Sequence, residues 1–199
     1  MISVEEIKKE KLRTGYTTGT SATAAAKAAL LSIINQTKIE NIDVKLPKGS
    51  FIKIPIHLCQ FDENRSKCSV IKDGGDDPDV THGAEIVVEL SFTDKINEIE
   101  IDGGEGVGIV TKPGLGLELN KAAINPVPKK MINENLREII DKYLLKKGIR
   151  VIISVPKGKE LGPKTDNPRI GILNGISILG TSGIVIPFST ASYAASIRQ

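Results

Sequence analysis

The chain contains no tryptophan, and only 3 tyrosines and 4 phenylalanines. Its core must therefore be aliphatic, and the aromatic platforms on which nucleic-acid binders stack bases are missing. Cysteine is almost absent. Cys59 and Cys68 are the two, in no CxxC spacing; they read as reduced thiols, with a disulfide as the less favoured alternative. No apolar run approaches the roughly 18–20 residues of a membrane helix. Residues 1–13 mix acids with bases and lack the apolar stretch of a signal peptide, so the expected compartment is the cytoplasm. Charge of one sign is also scarce: 27 basic against 24 acidic side chains leave +3. That is far from the dense basic stripe of a nucleic-acid binder, and no membrane partner is expected either.

What is present suffices for a folded body. Of 199 residues, 40% are apolar and 26% charged, which excludes wholesale disorder. Residues 14–35 open on Thr and Gly and continue as an alanine-rich helix, with Thr20 or Ser21 as the expected N-cap. Residues 42–46 and 51–56 read as a hairpin about the Pro-Lys-Gly turn at 47–49. Strands are expected at 67–71, 84–92 and 96–101, an amphipathic helix at 128–148 ending on Gly148, and a buried strand at 150–156. Residues 175–179 then read as a strand, followed by a loop and a helix from Ser189. The pattern predicts an α+β fold: a two-layer α/β sandwich over residues 1–172, with helices on one face of a mostly antiparallel sheet. Residues 173–199 are expected to open a Rossmann-like α/β unit that is incomplete here.

Four loops carry residues capable of chemistry. Residues 14–21 place Thr17, Thr18, Gly19, Thr20 and Ser21 at a helix start, where free N–H groups and the helix dipole attract anions. They lack the lysine of a phosphate-binding Walker loop; a tightly packed, well-capped helix is the alternative. Residues 73–83 hold Asp73, Asp76, Asp77, Asp79 and His82. Such density suits proton transfer more than metal binding, though an Asp-rich turn has the same composition. Residues 103–116 contain Gly104, Gly106 and Gly108 with Glu105 and Lys112, but GxGxxG is incomplete because Ile109 takes its last place. Residues 157–169 cluster Lys157, Lys159, Lys164 and Arg169, which suit carboxylates or phosphates if they do not simply form a solvated surface.

Taken together these strings resemble the cobalt-precorrin-5B C1-methyltransferase (CbiD) family of anaerobic cobalamin biosynthesis. The resemblance rests on LRTGYTTGTSATAAAKAAL (12–30), DGGDDPDVTHGAEI (73–86), GGEGVGIVTKPGLGLELNKAAINPVPKKMI (103–132), VPKGKELGPKTDNPRIGILNGISILGTSGIV (155–185) and the SI at 196–197, in the family's order and over nearly the whole chain. It implies methyl transfer from S-adenosylmethionine to C1 of a cobalt-bearing contracted tetrapyrrole. The products would be cobalt-precorrin-6A and S-adenosylhomocysteine. His82, Asp77, Asp79 and Glu105 become catalytic candidates. Thr17, Thr18, Gly19, Thr20, Ser21, Lys112, Lys157, Lys164 and Arg169 become substrate-binding candidates. Gly104, Gly106, Gly108, Gly180 and Thr181 become candidates for the methyl donor.

No protein metal site is implied, because cobalt arrives with the substrate. Two departures are visible. The family commonly has Cys where this chain has Ser21, so a thiol there is not essential; and its members continue well past residue 199. The chain is therefore expected either to act as the enzyme or to serve as a non-catalytic tetrapyrrole- or anion-binding module, with a second copy or a C-terminal domain as protein partner. A phosphate-binding transferase is a third, weaker reading.

Overall fold

The computed structural model describes residues 12–187. In chain order it contains β1 (Gly15–Tyr16), α1 (Thr18–Asn35), β2 (Asn41–Lys45), β3 (Phe51–Pro55), β4 (Leu58–Phe61), β5 (Arg65–Ile71), β6 (Glu85–Thr93) and β7 (Ile99–Gly103). There follow β8 (Ile109–Val110), α2 (Pro126–Tyr143), β9 (Gly148–Ser154), the short helices α3 (Gly158–Leu161) and α4 (Asn167–Ile170), β10 (Ile172–Leu173) and β11 (Ile184–Val185).

The main sheet has five strands in the order β4-β5-β6-β9-β7, antiparallel except for the parallel β7–β9 pair. Period-two alternation along β5 and β6 sends Ser66, Cys68 and Val70 to one face opposite Leu90, Val88 and Ile86. All six are buried there, and α1 packs on that face with α2 beside it. The β2–β3 hairpin forms as expected and closes over α1. The fold is α+β, as the pattern predicted.

α1 is the centre of the body because its side chains are small. Ala22, Ala24, Ala25, Ala26, Ala28 and Ala29 are all at 0% exposure. Alanine loses no rotamer freedom in a helix and lets neighbouring backbones approach closely. Its N-cap is Thr17, not Thr20 or Ser21. Thr17 has extended backbone and its hydroxyl accepts from the Thr20 N–H. Thr20 and Ser21 lie inside the first turn, where their hydroxyls donate to Gly183 O (2.7 Å) and Thr17 O (3.0 Å).

α2 ends earlier than expected, at Tyr143. Leu144 takes the left-handed C-cap conformation, and Gly148 opens β9 instead of ending the helix. Residues 175–179 form no regular strand: Ile176 and Ile178 make single parallel bridges to Val107 and Ile124. β10 pairs with β8 and β11 with β1, so residues 172–187 are hydrogen-bonded into the same body. The helix expected from Ser189 lies outside the described residues. No described helix is long and apolar enough to cross a membrane.

A buried polar knot joins the helices to the hairpin. Lys27, 9% exposed, donates to Asp43 O at 2.8 Å and Asn135 Oδ1 at 3.4 Å. Burial holds the Lys27 pKa below the usual lysine value. Asn135 Oδ1 also accepts from the Lys45 N–H, and Nδ2 donates to Lys45 O and Met131 O. Asn135→Leu strands these groups in the interior and is expected to cost about 2–3 kcal/mol, read as a lower urea midpoint at unchanged slope.

Candidate functional site

The first two loops meet along their backbones. Tyr16 N–H donates to Asp73 O at 2.8 Å and Asp76 N–H to Arg13 O at 2.9 Å. A Cβ on Gly15 would sit 2.2 Å from Gly74 C, and one on Gly75 2.2 Å from Arg13 O. Only glycine permits this approach. Arg13 forks onto the Asp73 carboxylate. That hydrogen bond, against a smaller opposing effect of burial, keeps the Asp73 pKa below the usual carboxylate range.

Asp79 is held from three sides. Its Oδ2 accepts from Lys72 Nζ at 2.5 Å, and its Oδ1 from Thr81 N–H at 2.7 Å and Thr81 Oγ1 at 2.6 Å. The Lys72 side chain is 2% exposed. Burial pushes the Asp79 pKa upward, but the Lys72 charge and these hydrogen bonds outweigh it and leave the group below the usual value.

His82 is 52% exposed. Its Nδ1 accepts from the Gly74 N–H at 3.1 Å, a bond that requires the neutral tautomer with hydrogen on Nε2. The free edge is thus a hydrogen-bond donor. Asp77 lies in the same turn, its carbonyl accepting from the Asp79 N–H.

The α1 start differs from the expected open anion nest. Its amides are mostly taken by protein acceptors: Thr17 N–H by Gly183 O, Gly19 by Leu179 O, Thr20 by Thr17 Oγ1 and Ser21 by Thr17 O. The Thr18 hydroxyl donates to Ser177 O and Leu179 O and accepts from the Leu179 N–H. The reason is burial: Thr17 through Ser21 all lie inside, and orphan donors there need partners.

Gly104, Gly106 and Gly108 also face protein. A Cβ on Gly106 would lie 1.9 Å from Val155 O, one on Gly108 2.4 Å from Ile172 Cγ2, and one on Gly104 2.5 Å from Ser154 Oγ. These glycines let residues 103–108 pack against 152–158 and 172–175. Glu105 is exposed, with Lys159 Nζ at 3.8 Å. Lys112, Lys157, Lys164 and Arg169 are exposed; Lys112 lies against Gly171, and Arg169 pairs with Asp166 at 3.3 Å. Gly180 backs onto the Thr17 side chain, and Thr181 is exposed.

One cavity joins parts of three of these loops. It measures about 160 Å³ and is lined by Thr17 and Thr18, by Lys72, Asp79 and Thr81, by Thr165 and Asn167, and by Ile176, Ser177, Leu179 and Val185. His82, Glu105 and the exposed cations do not line it. A larger depression of about 470 Å³, lined by residues including Arg65, Glu89 and Arg150, contains none of the candidate residues. Among the described residues no group of three or more His, Cys, Asp and Glu is placed to hold a metal ion.

The CbiD family model matches residues 5–187. The chain belongs to the CbiD family. It is 52% identical to the cobalt-precorrin-5B C(1)-methyltransferase of Priestia megaterium, over 98% of this chain and 54% of that protein. The Geobacillus thermodenitrificans protein of the same name is also 52% identical, over 96% of this chain and 51% of its own length. A crystal structure described as cobalamin biosynthesis protein (cbiD) from Archaeoglobus fulgidus superposes with TM-score 0.67 at 32% identity, covering 94% of this chain and 59% of that one. The chain spans about half the length of the curated relatives it matches.

Within this CbiD chain, Lys72, Thr81, Thr165, Asn167 and Ser177 are cavity residues that the sequence reading did not select. Lys72 directly follows the strand expected at 67–71. Its signal was a lysine directly beside an Asp-rich loop, which becomes informative only when its side chain turns inward.

Asp79→Asn leaves the Lys72 ammonium buried without its counter-charge and is expected to cost about 3–5 kcal/mol; the double change Lys72→Met with Asp79→Leu is expected to cost less, since only the Thr81 N–H and hydroxyl then lose an acceptor. Because the folded Asp79 pKa lies below 3.8, its contribution is complete above that pH and is lost as the pH falls through the lower folded value. Acid unfolding followed by circular dichroism should therefore be less steep in the double variant.

Proposed function

We propose that this chain methylates C1 of cobalt-precorrin-5B with S-adenosylmethionine, releasing cobalt-precorrin-6A and S-adenosylhomocysteine. The observation that carries the reading is the convergence of Thr17, Thr18, Lys72, Asp79, Thr165 and Asn167 on one cavity in a chain of this family. The sulfonium is already electrophilic, so the protein has to align donor and nucleophilic carbon and exclude water. The C–S bond breaks as the C–C bond forms, and the electron pair of the broken bond stays on sulfur.

The exposed cations Lys112, Lys157, Lys164 and Arg169 would hold peripheral carboxylates of the macrocycle. His82, as Nε2–H donor, would orient the ring by a hydrogen bond, while Asp79 holds Lys72 in place. Gly180 and Thr181, beside Thr17, would approach the methyl donor. Gly104, Gly106 and Gly108 would act through the packing they permit. The place of action is the cytoplasm, with a second copy or a further domain as protein partner.

The alternative reading is a module that binds tetrapyrrole without methylating it. Incubating the chain with S-adenosylmethionine and cobalt-precorrin-5B separates the two. A product one methyl heavier by mass spectrometry is the expected result; substrate binding with no such product establishes the module. In the active protein His82→Ala is expected to lower turnover by about 10²-fold, and unchanged turnover removes its role.

A further inference from the structure

Lys72 stands out because the fold gives it less than it can use. An ammonium has three donors, and among the described residues Lys72 Nζ has one acceptor, Asp79 Oδ2 at 2.5 Å. Its side chain is 2% exposed, so water cannot freely supply the others, yet it lines the cavity of about 160 Å³. A buried ion pair gains little over a well-packed apolar pair, so packing alone does not explain a lysine here.

Two further features converge on the same space. Thr17 and Thr18 bring the N-terminal end of the 18-residue helix α1 to the cavity wall, and its dipole favours negative charge there. Thr18 N–H is the amide of that helix start for which the described residues provide no acceptor. Ile176, Leu179 and Val185 add apolar lining to the same cavity. Spare donors and aliphatic carbon lining one small cavity match a short aliphatic carboxylate. A phosphate would leave its remaining charged oxygens against carbon.

We infer that this cavity is a carboxylate subsite in which Lys72 Nζ and the Thr18 amide receive the carboxylate and Ile176, Leu179 and Val185 cover its alkyl stem. Lys72 sits between the ligand and Asp79, and the α1 dipole offsets repulsion from Asp79. Assignment of the carboxylate's owner rests on the methyltransferase reading: it is either the amino-acid end of the methyl donor or an acetate or propionate arm of the macrocycle.

The test is a titration of the 199-residue chain with sodium propionate, following the Thr18 amide by ¹⁵N NMR. A saturable shift is expected in the wild type. It should be at least about tenfold weaker in Lys72→Met/Asp79→Leu, which keeps the volume filled, and in Leu179→Trp, which fills the cavity from its half-exposed edge and leaves the ion pair intact. No saturable shift, or the same affinity in all three proteins, overturns the subsite. Displacement of propionate by S-adenosylhomocysteine assigns it to the donor, and displacement by cobalt-precorrin-5B to the macrocycle. Displacement by neither overturns its place in this reaction. Because propionate binding is read without turnover, failure of the subsite and failure of the methyltransferase reading give different results.

Discussion

The architecture around the site depends on burying the start of a long helix. Helix termini leave orphan amides, and an N-terminus placed inside a protein must find acceptors for them. Here they come from chain more than 150 residues away: Leu179 O takes the Gly19 N–H and Gly183 O takes the Thr17 N–H. The Thr18 and Thr20 hydroxyls add bonds to Ser177, Leu179 and Gly183. Residues 176–185 are thereby fixed against α1 although they form almost no regular strand. On the other flank, Tyr16 and Arg13 fix the Asp-rich loop through Asp73 and Asp76. The cavity lies between these two attachments.

This arrangement also explains the distribution of glycine. The loops look like ligand cradles, yet many of their glycines meet protein backbone: Gly15 at Gly74, Gly106 at Val155 and Gly158 at Gly106. Irregular segments that cross this closely have no room for Cβ atoms. Glycine density therefore marks where loops interlock. The polar side chains on the cavity wall, Thr17, Thr18, Thr81, Thr165 and Ser177, have their hydroxyls bonded within the protein. Charge is divided in a similar way: Lys72 is buried at the cavity and Lys27 in the core, while Lys157, Lys164 and Arg169 stay in solvent.

The sulfur chemistry is quiet. Cys59 and Cys68 face each other across β4 and β5 as free, buried thiols. Burial pushes the Cys68 thiol up to about 12, which leaves almost no thiolate near neutral pH. Together with Ser21 at the helix start, this places no reactive sulfur at the cavity.

Composition and local pattern were enough to establish the aliphatic core, the alanine-rich α1, the β2–β3 hairpin, the amphipathic α2 and the loops rich in hydroxyls, carboxylates and cations, because each follows from short-range periodicity or turn chemistry. Element ends were less legible. Thr17 displaced Thr20 and Ser21 as the cap, and Leu144 ended α2 before Gly148 was reached. The site itself was a tertiary decision. Lys72 becomes a buried cation only because the next loop folds back to bring Asp79 against it, and Thr18 reaches a cavity only because residues 176–185 return to cover α1. Such contacts join residues with no local relation, and their energy depends on burial, a property of the assembled body that no window of sequence contains.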